Sequence, residues 1–524
     1  MSVCLGGSVV HAEREVVVVG GGHNGLVAAC YLARAGLAVT VLEAAEVAGG
    51  GSRTEETIPG FRFDTHSAAH NIINMTSIPE ELDLSGAGLH YVEMDPFALG
   101  VAPGQAPLRF FRSIDATIAA LAKDDPAEAA RYGAWMDWAV PTVDAAVGFL
   151  EAGGPRTALP ATFASLRALR RIGGPTAMVA ATTAPYGSLL SSLFATERVR
   201  APVAAFAAHA SVGPDAAGGA YFAIWQAAYH RFGQWHAIGG SQALADALVR
   251  RLNLYGGQLV TGCSVVAIET RAGAVSGVRS ADGVRYRADA VLAAIHPHAA
   301  FDLVEPAPSG PVVEGLRAAH AGNAVQLVVH VATTVLPAYP GAVAGDWNGL
   351  QSHVGTIAEL AQAFAEAQAR LVPREPPTYA FTPSALDPEL APPGRHTVYL
   401  ACPCAPATVQ GGWTLHRDTF AEAMIDHMEA HAPGFRDSII DWHVRTPETM
   451  ASELRLPGAH PMHLDITMDQ LGPVRPTRAL GDHHTPVAGL LLAGAGSSPT
   501  GGISGLPGRN AARRLLADWR RKRS

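Results

Sequence analysis

Lysine is nearly absent from this chain of 524 residues, which contains only Lys123 and Lys522. Arginine and alanine are abundant instead, a composition typical of a GC-rich bacterial genome. No stretch of 18 residues stays apolar, which argues against a membrane-spanning helix. The net charge of −8, with no basic stripe, argues against nucleic acid as a partner. The first fifteen residues lack the basic start and long apolar core of a secretory signal, so we expect a cytoplasmic protein.

Cysteine is also scarce, with five residues and no C-x-x-C spacing. This odd number suits a reducing compartment and argues against a disulfide framework or a cysteine-rich metal site, so no metal is predicted. Cys402 and Cys404 are interpreted as buried structural thiols. The length and the 48% apolar content predict at least two well-packed domains.

A βαβ unit stands near the start of the chain. Residues 16–19 form an apolar run, residues 26–36 have a helical pattern, and residues 38–42 form a second apolar run that ends at Glu43. Between the first strand and the helix lies G-x-G-x-x-G, in which Gly20 allows a tight turn, Gly22 admits a pyrophosphate and Gly25 lets helix pack on strand. The free N–H groups of the helix start favour phosphate. Glu43 has the oxygens to accept both ribose hydroxyls, so a dinucleotide site is predicted.

Two further glycine-rich loops extend this site. Residues 49–51 follow the second strand closely, which FAD requires and NAD does not. Residues 490–505 run from an apolar strand into a glycine-rich turn before a helix, where backbone at residues 501–504 is predicted to meet the flavin ring and the helix dipole to stabilise its reduced form. The predicted cofactor-binding residues are Gly20, Gly22, His23, Asn24, Gly25, Glu43, Ala44, Gly50, Gly51, Ser52, Val265, Gly494, Ala495, Gly502, Ile503 and Ser504.

The order of these motifs resembles a known superfamily. The glycine triplet, the acid, a GG-x-S-x-T loop, the G-F-R-F-D segment at 60–64 and the H-x-x-…-D-Q…R-P segment at 463–476 are similar to FAD oxidoreductases of the phytoene desaturase and amine oxidase superfamily. Within it, the chain resembles the branch of β-carotene ketolase-type, phytoene dehydrogenase-related and pyridine nucleotide-disulfide oxidoreductase domain-containing proteins. It departs from that pattern at Thr500, where glycine is usual, at residues 466–468, and at Gly51, where many members have arginine. Val265 and Ile268 fit the family's adenine-contacting strand.

The resemblance implies an α/β fold with two domains. A Rossmann-like FAD-binding domain (three-layer ββα) is expected from the discontinuous segments 1–80, 235–300 and 451–524, and a mixed α+β substrate domain from 81–234, read as mostly helical, and 301–450. Residues 221–230 are rich in aromatics at helical spacing. This pattern favours ordinary core, and the alternative is the wall of an apolar substrate tunnel.

The resemblance also implies hydride transfer between flavin N5 and a carbon of an apolar, conjugated substrate such as a polyene, isoprenoid or polyketide. Candidate acid/base groups are His463, Asp469 and His70, and Arg475 is a candidate to steady a substrate oxygen. Each has a structural alternative, including an Asp469–Arg475 ion pair. Because a second dinucleotide fingerprint is missing, the expected electron acceptor is oxygen, a quinone or the substrate itself.

Three other functions stay open on the sequence. One is redox-assisted cyclisation or reduction of a polyene secondary metabolite. Another is amine oxidation, which often uses a lysine-held water and is disfavoured by the scarcity of lysine. The third is a flavin-binding scaffold without turnover. The basic C-terminal tail is interpreted as a solvated helix end, with peripheral contact to an anionic membrane as the alternative.

Overall fold

The computed structural model describes residues 14–152 and 159–521. The N-terminal stretch examined for a signal, the glycine-proline break at 153–155 and the tail residues Lys522 and Arg523 fall wholly or mainly outside these ranges. Within the described residues the strands are β1 (Glu15–Val19), β2 (Ala38–Leu42), β3 (Thr54–Ile58), β4 (Phe61–Asp64), β5 (Tyr91–Glu93), β6 (Ala98–Gly100), β7 (Leu108–Phe110), β8 (Trp235–Ala237), β9 (Gln258–Val260), β10 (Val265–Arg271), β11 (Ala274–Ser280), β12 (Arg285–Arg287), β13 (Ala290–Ala293), β14 (Val304–Glu305), β15 (Ala324–Thr333), β16 (Leu350–Ser352), β17 (Tyr379–Phe381), β18 (His396–Pro406), β19 (Ile439–Arg445) and β20 (Leu490–Leu492).

The helices of the described residues lie between these strands, and eight of them follow one another without an intervening strand. They are α1 (His23–Arg34), α2 (Ile78–Glu81), α3 (Ile114–Asp124), α4 (Pro126–Glu151), α5 (Leu159–Ile172), α6 (Pro175–Thr183), α7 (Tyr186–Leu193), α8 (Glu197–Ala208), α9 (Ala220–Ile224), α10 (Gln226–Phe232), α11 (Gln242–Leu254), α12 (Pro297–Asp302), α13 (Pro311–Ala318), α14 (Ile357–Gln368), α15 (Trp413–His431), α16 (Phe435–Ser438), α17 (Pro447–Glu453) and α18 (Leu506–Arg521). In this part of the chain no helix is long and apolar enough to cross a membrane.

A five-stranded parallel sheet, in the order β20–β13–β1–β2–β9, forms the centre of the cofactor domain. Helices α1, α11 and α18 pack on one face, and the four-stranded sheet β12–β11–β10–β14 packs on the other. Because both faces are covered, the strands are continuous apolar runs rather than alternating ones. The predicted α/β fold with its three-layer arrangement is confirmed.

Helix α1 begins three residues earlier than its apolar pattern predicted. Gly22 is extended (φ −67°, ψ 167°) and caps the helix, so His23 and Asn24 already belong to its first turn. The first turn contains no apolar side chain, so apolar periodicity could not detect it. His23 and Asn24 directly follow the glycine loop, and both are buried.

The second domain is built around a seven-stranded sheet in the order β19–β15–β18–β17–β16–β6–β7. Its strands come from both insertions, since β6 and β7 precede the helices α3–α10 and the others follow them. The segment predicted to be mostly helical therefore also supplies the last two strands at one side of this sheet, of which β7 is the edge. Buried aromatics such as Trp135 and Tyr132 fill the core between helices and sheet.

The G-F-R-F-D segment ties two distant segments of the cofactor domain together through Asp64. This buried carboxylate accepts hydrogen bonds from Thr54 Oγ1 and from the backbone N–H of Ser241, both at 2.7 Å. It thereby ties the hairpin β3–β4 to the loop before α11. The hairpin in turn holds the second glycine loop beside the first.

Candidate functional site

A cavity of about 600 Å³ lies between the first two glycine loops. Its described lining contains ten of the sixteen predicted cofactor-binding residues, which are Gly20, Gly22, His23, Asn24, Glu43, Ala44, Gly50, Gly51, Val265 and Ala495. Residues from three distant parts of the chain therefore meet along one elongated space. We refer to it as the cofactor cavity.

Several glycines of the two loops are placed so that a side chain would crowd neighbouring atoms. A Cβ on Gly25 would lie 2.0 Å from the Gly20 carbonyl oxygen, and a Cβ on Gly50 would lie 3.2 Å from the Gly22 Cα. The loops are also joined directly, because Gly49 N–H donates to the Gly21 carbonyl at 2.9 Å. Bare backbone therefore forms a cradle that suits a pyrophosphate.

Glu43 is fixed by backbone donors at the end of β2. One carboxylate oxygen accepts from Gly21 N–H at 2.6 Å, and the other accepts from Ala45 N–H at 2.8 Å. A carboxylate has about four acceptor positions, so each oxygen keeps one for a ribose hydroxyl. The acid is thus oriented before any ligand binds.

Four of the predicted residues support the cavity rather than line it. Gly25 packs behind the turn, Ser52 Oγ donates to the Gly49 carbonyl at 3.0 Å, and Ser504 Oγ accepts from Leu506 N–H at 3.3 Å at the start of α18. A Cβ on Gly494 would lie 2.4 Å from the Ile295 carbonyl oxygen. These residues therefore shape the loops whose backbone faces the cavity.

Sequence reasoning missed two arginines in this lining, Arg53 and Arg455. Guanidinium groups are well suited to a pyrophosphate. Arg53 directly follows Ser52 of the second glycine loop, and that position was a usable signal. Arg455 follows α17 from far along the chain, and no motif marks it.

A second cavity of about 310 Å³ continues from the first and is called the chamber. Gly502 and Ile503, predicted to meet the flavin ring, line the chamber rather than the cofactor cavity. Six residues line both spaces, namely His23, Gly51, Leu454, Leu456, His463 and Ala495. The two cavities therefore meet where the three glycine loops converge.

Aromatic side chains form much of the chamber lining. They come from α9 and α10 on one side and from β17 and β18 on the other, as Tyr221, Phe222, Trp225, Tyr229, Phe381, Tyr379 and Tyr399. The interpretation of residues 221–230 as ordinary core is therefore corrected. Tyr229 stacks on core residue Phe97 with ring centroids 5.3 Å apart, yet it also faces the chamber. Helical spacing alone does not distinguish these two surroundings.

The chamber has no carboxylate, ammonium or guanidinium group in its described lining. Among the lining residues that the structure describes there is no Asp, Glu, Lys or Arg. Lys123 lies at the end of α3 and does not reach the lining. Polar groups come instead from histidine, tyrosine, asparagine, glutamine, serine and threonine side chains. Such a space suits a neutral ligand, because an ion would be buried there without a partner.

His463 lies at the junction of the two cavities. Its backbone has φ +67°, a strained value for a residue with a side chain, and strain of this kind concentrates at functional sites. The ring stacks on His296 with centroids 5.6 Å apart, and its Nδ1 has no partner among the described residues. Burial, together with the neighbouring His296 and Arg475, holds the pKa of His463 well below its usual range. The imidazole is therefore neutral.

The other three catalytic candidates lie outside both linings. His70 is buried with Nδ1 2.9 Å from Tyr91 Oη, and burial lowers its pKa to about 3. Asp469 is exposed to solvent. Arg475 is fully buried and donates to the backbone carbonyls of Asp465 at 2.9 Å and Gln470 at 2.8 Å.

These contacts correct the roles suggested for Asp469 and Arg475. The Arg475 guanidinium is fully engaged with backbone carbonyls and is neither paired with Asp469 nor turned to a substrate. Burial lowers its pKa only to about 10, so it is charged at neutral pH. Its role is to hold the loop that carries His463.

His23 connects the first glycine motif to the last one. Its Nε2 lies 3.1 Å from the Gly502 carbonyl oxygen, and burial lowers its pKa to about 4. Because a carbonyl only accepts, the neutral ring must carry its proton on Nε2.

In the described residues no group of three or more His, Cys, Asp or Glu side chains is placed to hold a metal ion.

Comparison with known proteins agrees with this geometry. Residues 184–516 match the profile of the flavin containing amine oxidoreductase family, and residues 18–77 match that of the NAD(P)-binding Rossmann-like domain. The chain is 30% identical to the mouse (Mus musculus) pyridine nucleotide-disulfide oxidoreductase domain-containing protein 2, over 97% of this chain and 94% of that protein.

Two further similarities cover nearly the whole chain. It is 24% identical to a lycopene-forming phytoene desaturase of a Paracoccus species, over 97% of this chain and 98% of that enzyme. The crystal structure of an oxidoreductase from Methanosarcina mazei matches with a TM-score of 0.60 at 17% identity, over 96% of this chain and 100% of that one. The last similarity shows a shared fold.

Proposed function

The chain belongs to the flavin containing amine oxidoreductase family and is an FAD-dependent oxidoreductase, and from this premise we propose that it dehydrogenates a neutral, largely apolar and conjugated small molecule, as a desaturase does. The similarity to a phytoene desaturase supports this reaction type. The identity of the substrate is part of the proposal.

The observation that carries the proposal is the composition of the chamber. Its described lining combines aromatic rings and aliphatic side chains with no carboxylate, ammonium or guanidinium group, and it opens directly onto the cofactor cavity. Aromatic faces contact flat π-systems well, and polar groups that are few and fixed give orientation. A neutral conjugated molecule meets these conditions.

When bound, FAD would supply the acceptor for a hydride, that is one hydrogen with two electrons, from a substrate carbon. The rings of Tyr229 and Trp225 hold the substrate in a chamber whose lining is mostly apolar. His463 faces the junction as a neutral and weakly basic imidazole, to which the substrate's second hydrogen is lost as a proton. An allylic C–H is already activated by its neighbouring double bonds, so a weak base suffices. We assign the subsequent electron acceptor to oxygen or a quinone.

The same chamber argues against amine oxidation. A protonated amine would be buried without a carboxylate partner, and no lysine among the described residues lines the chamber to hold a water at the flavin. A cyclase or reductase would use the same space. These reactions differ from desaturation in the mass of the product.

Anaerobic reduction of the purified flavoprotein tests the proposal. We expect a neutral polyene to bleach the flavin absorbance and to yield a product lighter by two hydrogens. Bleaching by an amine alone would replace the proposal with amine oxidation. A product of unchanged or increased mass would favour cyclisation or reduction, and a bound flavin that no substrate class bleaches would favour a scaffold.

A further inference from the structure

We propose that the surface formed by the end of α4 together with α5 and α6 docks on an anionic lipid membrane beside the chamber, so that the substrate enters from lipid. The docking stands on surface geometry, and only the entry of substrate rests on the proposed function. We call this region the α4–α6 surface. It comprises residues 148–152 and 159–183.

Large apolar side chains are exposed on this surface. Their exposed fractions are 71% for Phe163, 59% for Val179, 52% for Phe149 and 49% for Leu166. Helix α6, which the structure describes in full, is mostly apolar, yet none of its nine residues is buried. An apolar helix without a buried face requires another apolar environment.

The orientation of α5 separates a packed side from an open side. Ala161 and Ala168 are buried, and a Cβ on Gly148 of α4 would lie 2.8 Å from the Ala161 Cβ. Phe163 and Leu166 therefore lie on the side away from α4. An apolar strip of this kind inserts into the headgroup boundary of a bilayer.

The charges on the same surface select an anionic partner. Arg167, Arg170 and Arg171 are exposed on α5, and residues 159–183 contain no Asp, Glu or Lys. Arginines flanking an apolar strip are typical of helices that lie on anionic bilayers. A second copy of this chain docked through the same surface would bring the arginines of the two copies together. Residues 159–183 contain no acid that could pair with them.

This surface is connected to the chamber at two points. Leu150, next to Phe149, is part of the chamber lining. At the other end, Thr183 and Ala184 accept through their carbonyls from Gly218 N–H at 2.7 Å and Ala220 N–H at 2.9 Å. From Gly218 the chain continues into α9, which carries lining residues Tyr221 and Phe222. An apolar molecule leaving the bilayer would therefore meet the chamber directly.

The basic C-terminal helix, the alternative membrane contact considered from the sequence, is less suited to bind a membrane than α5. Several of its arginines are already paired with acids, for example Arg513 with Glu81 at 2.9 Å and Arg514 with Asp482 at 2.7 Å. These pairs agree with the interpretation of a solvated helix end. The arginines of α5 have no acid in their own segment to neutralise them.

Vesicle co-sedimentation of the full-length flavoprotein tests the proposal. We expect binding on the order of a hundredfold tighter to phosphatidylserine-containing vesicles than to phosphatidylcholine vesicles, because about three arginines approach the surface. The double variant F163S/L166S should lose at least tenfold in binding to both. The matched control L415S, at a 69% exposed site on α15, should bind like the parent.

Charge variants separate the two candidate sites. R167Q/R170Q/R171Q should abolish the preference for anionic vesicles, whereas R520Q/R521Q on α18 should retain it. Loss of binding only in the second variant would overturn the proposal in favour of the tail. So would a self-associated parent protein that F163S/L166S converts to monomer without any vesicle binding, since a second copy would then cover this face.

Failure of this inference is distinguishable from failure of the proposed function. A flavin that is bleached by a detergent-dispersed polyene, in a protein that ignores vesicles, would retain the function and remove the docking surface. Vesicle binding that requires Phe163 and Leu166, in a protein whose flavin no polyene reduces, would do the reverse.

Discussion

The cofactor cavity and the chamber adjoin, yet they are built on different principles. The cofactor cavity depends on backbone geometry in its glycine loops and on one oriented carboxylate, and several of its positions admit only one residue type. The chamber is formed by side chains of similar size and polarity, which exchange more freely. The difference teaches that cofactor identity is fixed by local geometry, whereas substrate identity is distributed over many tolerant contacts.

Replacing Gly25 with alanine should have the largest effect on stability and on flavin binding. A small effect would contradict the difference between the cofactor cavity and the chamber. The new Cβ would meet the Gly20 carbonyl at 2.0 Å, so the turn must move. We expect the free energy of unfolding to fall by about 3 kcal/mol or more, and flavin to be lost. Chemical denaturation and the visible absorbance measure both.

The matched control is Gly315→Ala in α13, where a Cβ would meet nothing within 4 Å. It should leave the flavin bound and stability equal or slightly higher. A yellow, stable G25A protein would show that the cofactor region is as tolerant as the chamber.

Removing the charge of Glu43 should have the next largest effect. In Glu43→Gln the side-chain NH2 group must face one of the two backbone N–H groups that now donate to the carboxylate, so one hydrogen bond is lost. Hydrogen bonds to a charged group contribute about 1.5–3 kcal/mol, so FAD affinity should fall about ten- to hundredfold. Fluorescence titration of apoprotein with FAD measures this. Glu46→Gln, at an exposed position three residues away, should bind as the parent does.

Both domains should contribute to the pH dependence of the free energy of unfolding. Burial lowers the pKa of His209 in the chamber lining and of His483 behind β20 from 6.5 to about 4. Below pH 6.5 the unfolded chain binds protons at these sites that the folded protein refuses until about pH 4, so acid lowers stability over that window. Each contributes about 1.4 kcal/mol per pH unit.

Substituting either histidine by glutamine should therefore flatten the slope of unfolding free energy against pH by about that amount. Denaturation at several pH values between 4.5 and 6.5 measures it, with the exposed His90→Gln as the control. An unchanged slope in one variant would show that the histidine replaced there takes up its proton in the folded protein as readily as in the unfolded chain.

The smallest effect is expected in the chamber. Trp225→Leu should leave FAD affinity unchanged and raise KM for a polyene about three- to tenfold, because one aromatic contact contributes about 0.5–1.5 kcal/mol. Steady-state kinetics measures the change. Trp347→Leu, a half-buried tryptophan outside the chamber, should leave KM as it is. Loss of flavin in W225L would contradict the separation of the two regions.

The sequence predicted the cofactor domain better than the chamber for a physical reason. Gly20, Gly25 and Glu43 perform tasks that few other residues perform, so their spacing carries the geometry. Arg475 was misassigned because its partners are backbone carbonyls, which leave no pattern in a sequence. The aromatic run at 221–230 was misread because a helix packs rings at the same spacing against core and against a cavity.

The contact between His23 and the Gly502 carbonyl joins residues 479 positions apart. In the same way, β1 is flanked in the sheet by β13, and β20 lies beyond it. A ribosome therefore releases the βαβ unit long before it has made the segment that completes the nucleotide's enclosure. Nascent chains that stop short of residue 490 should emerge unable to retain FAD, so loading of the cofactor is an event that follows synthesis.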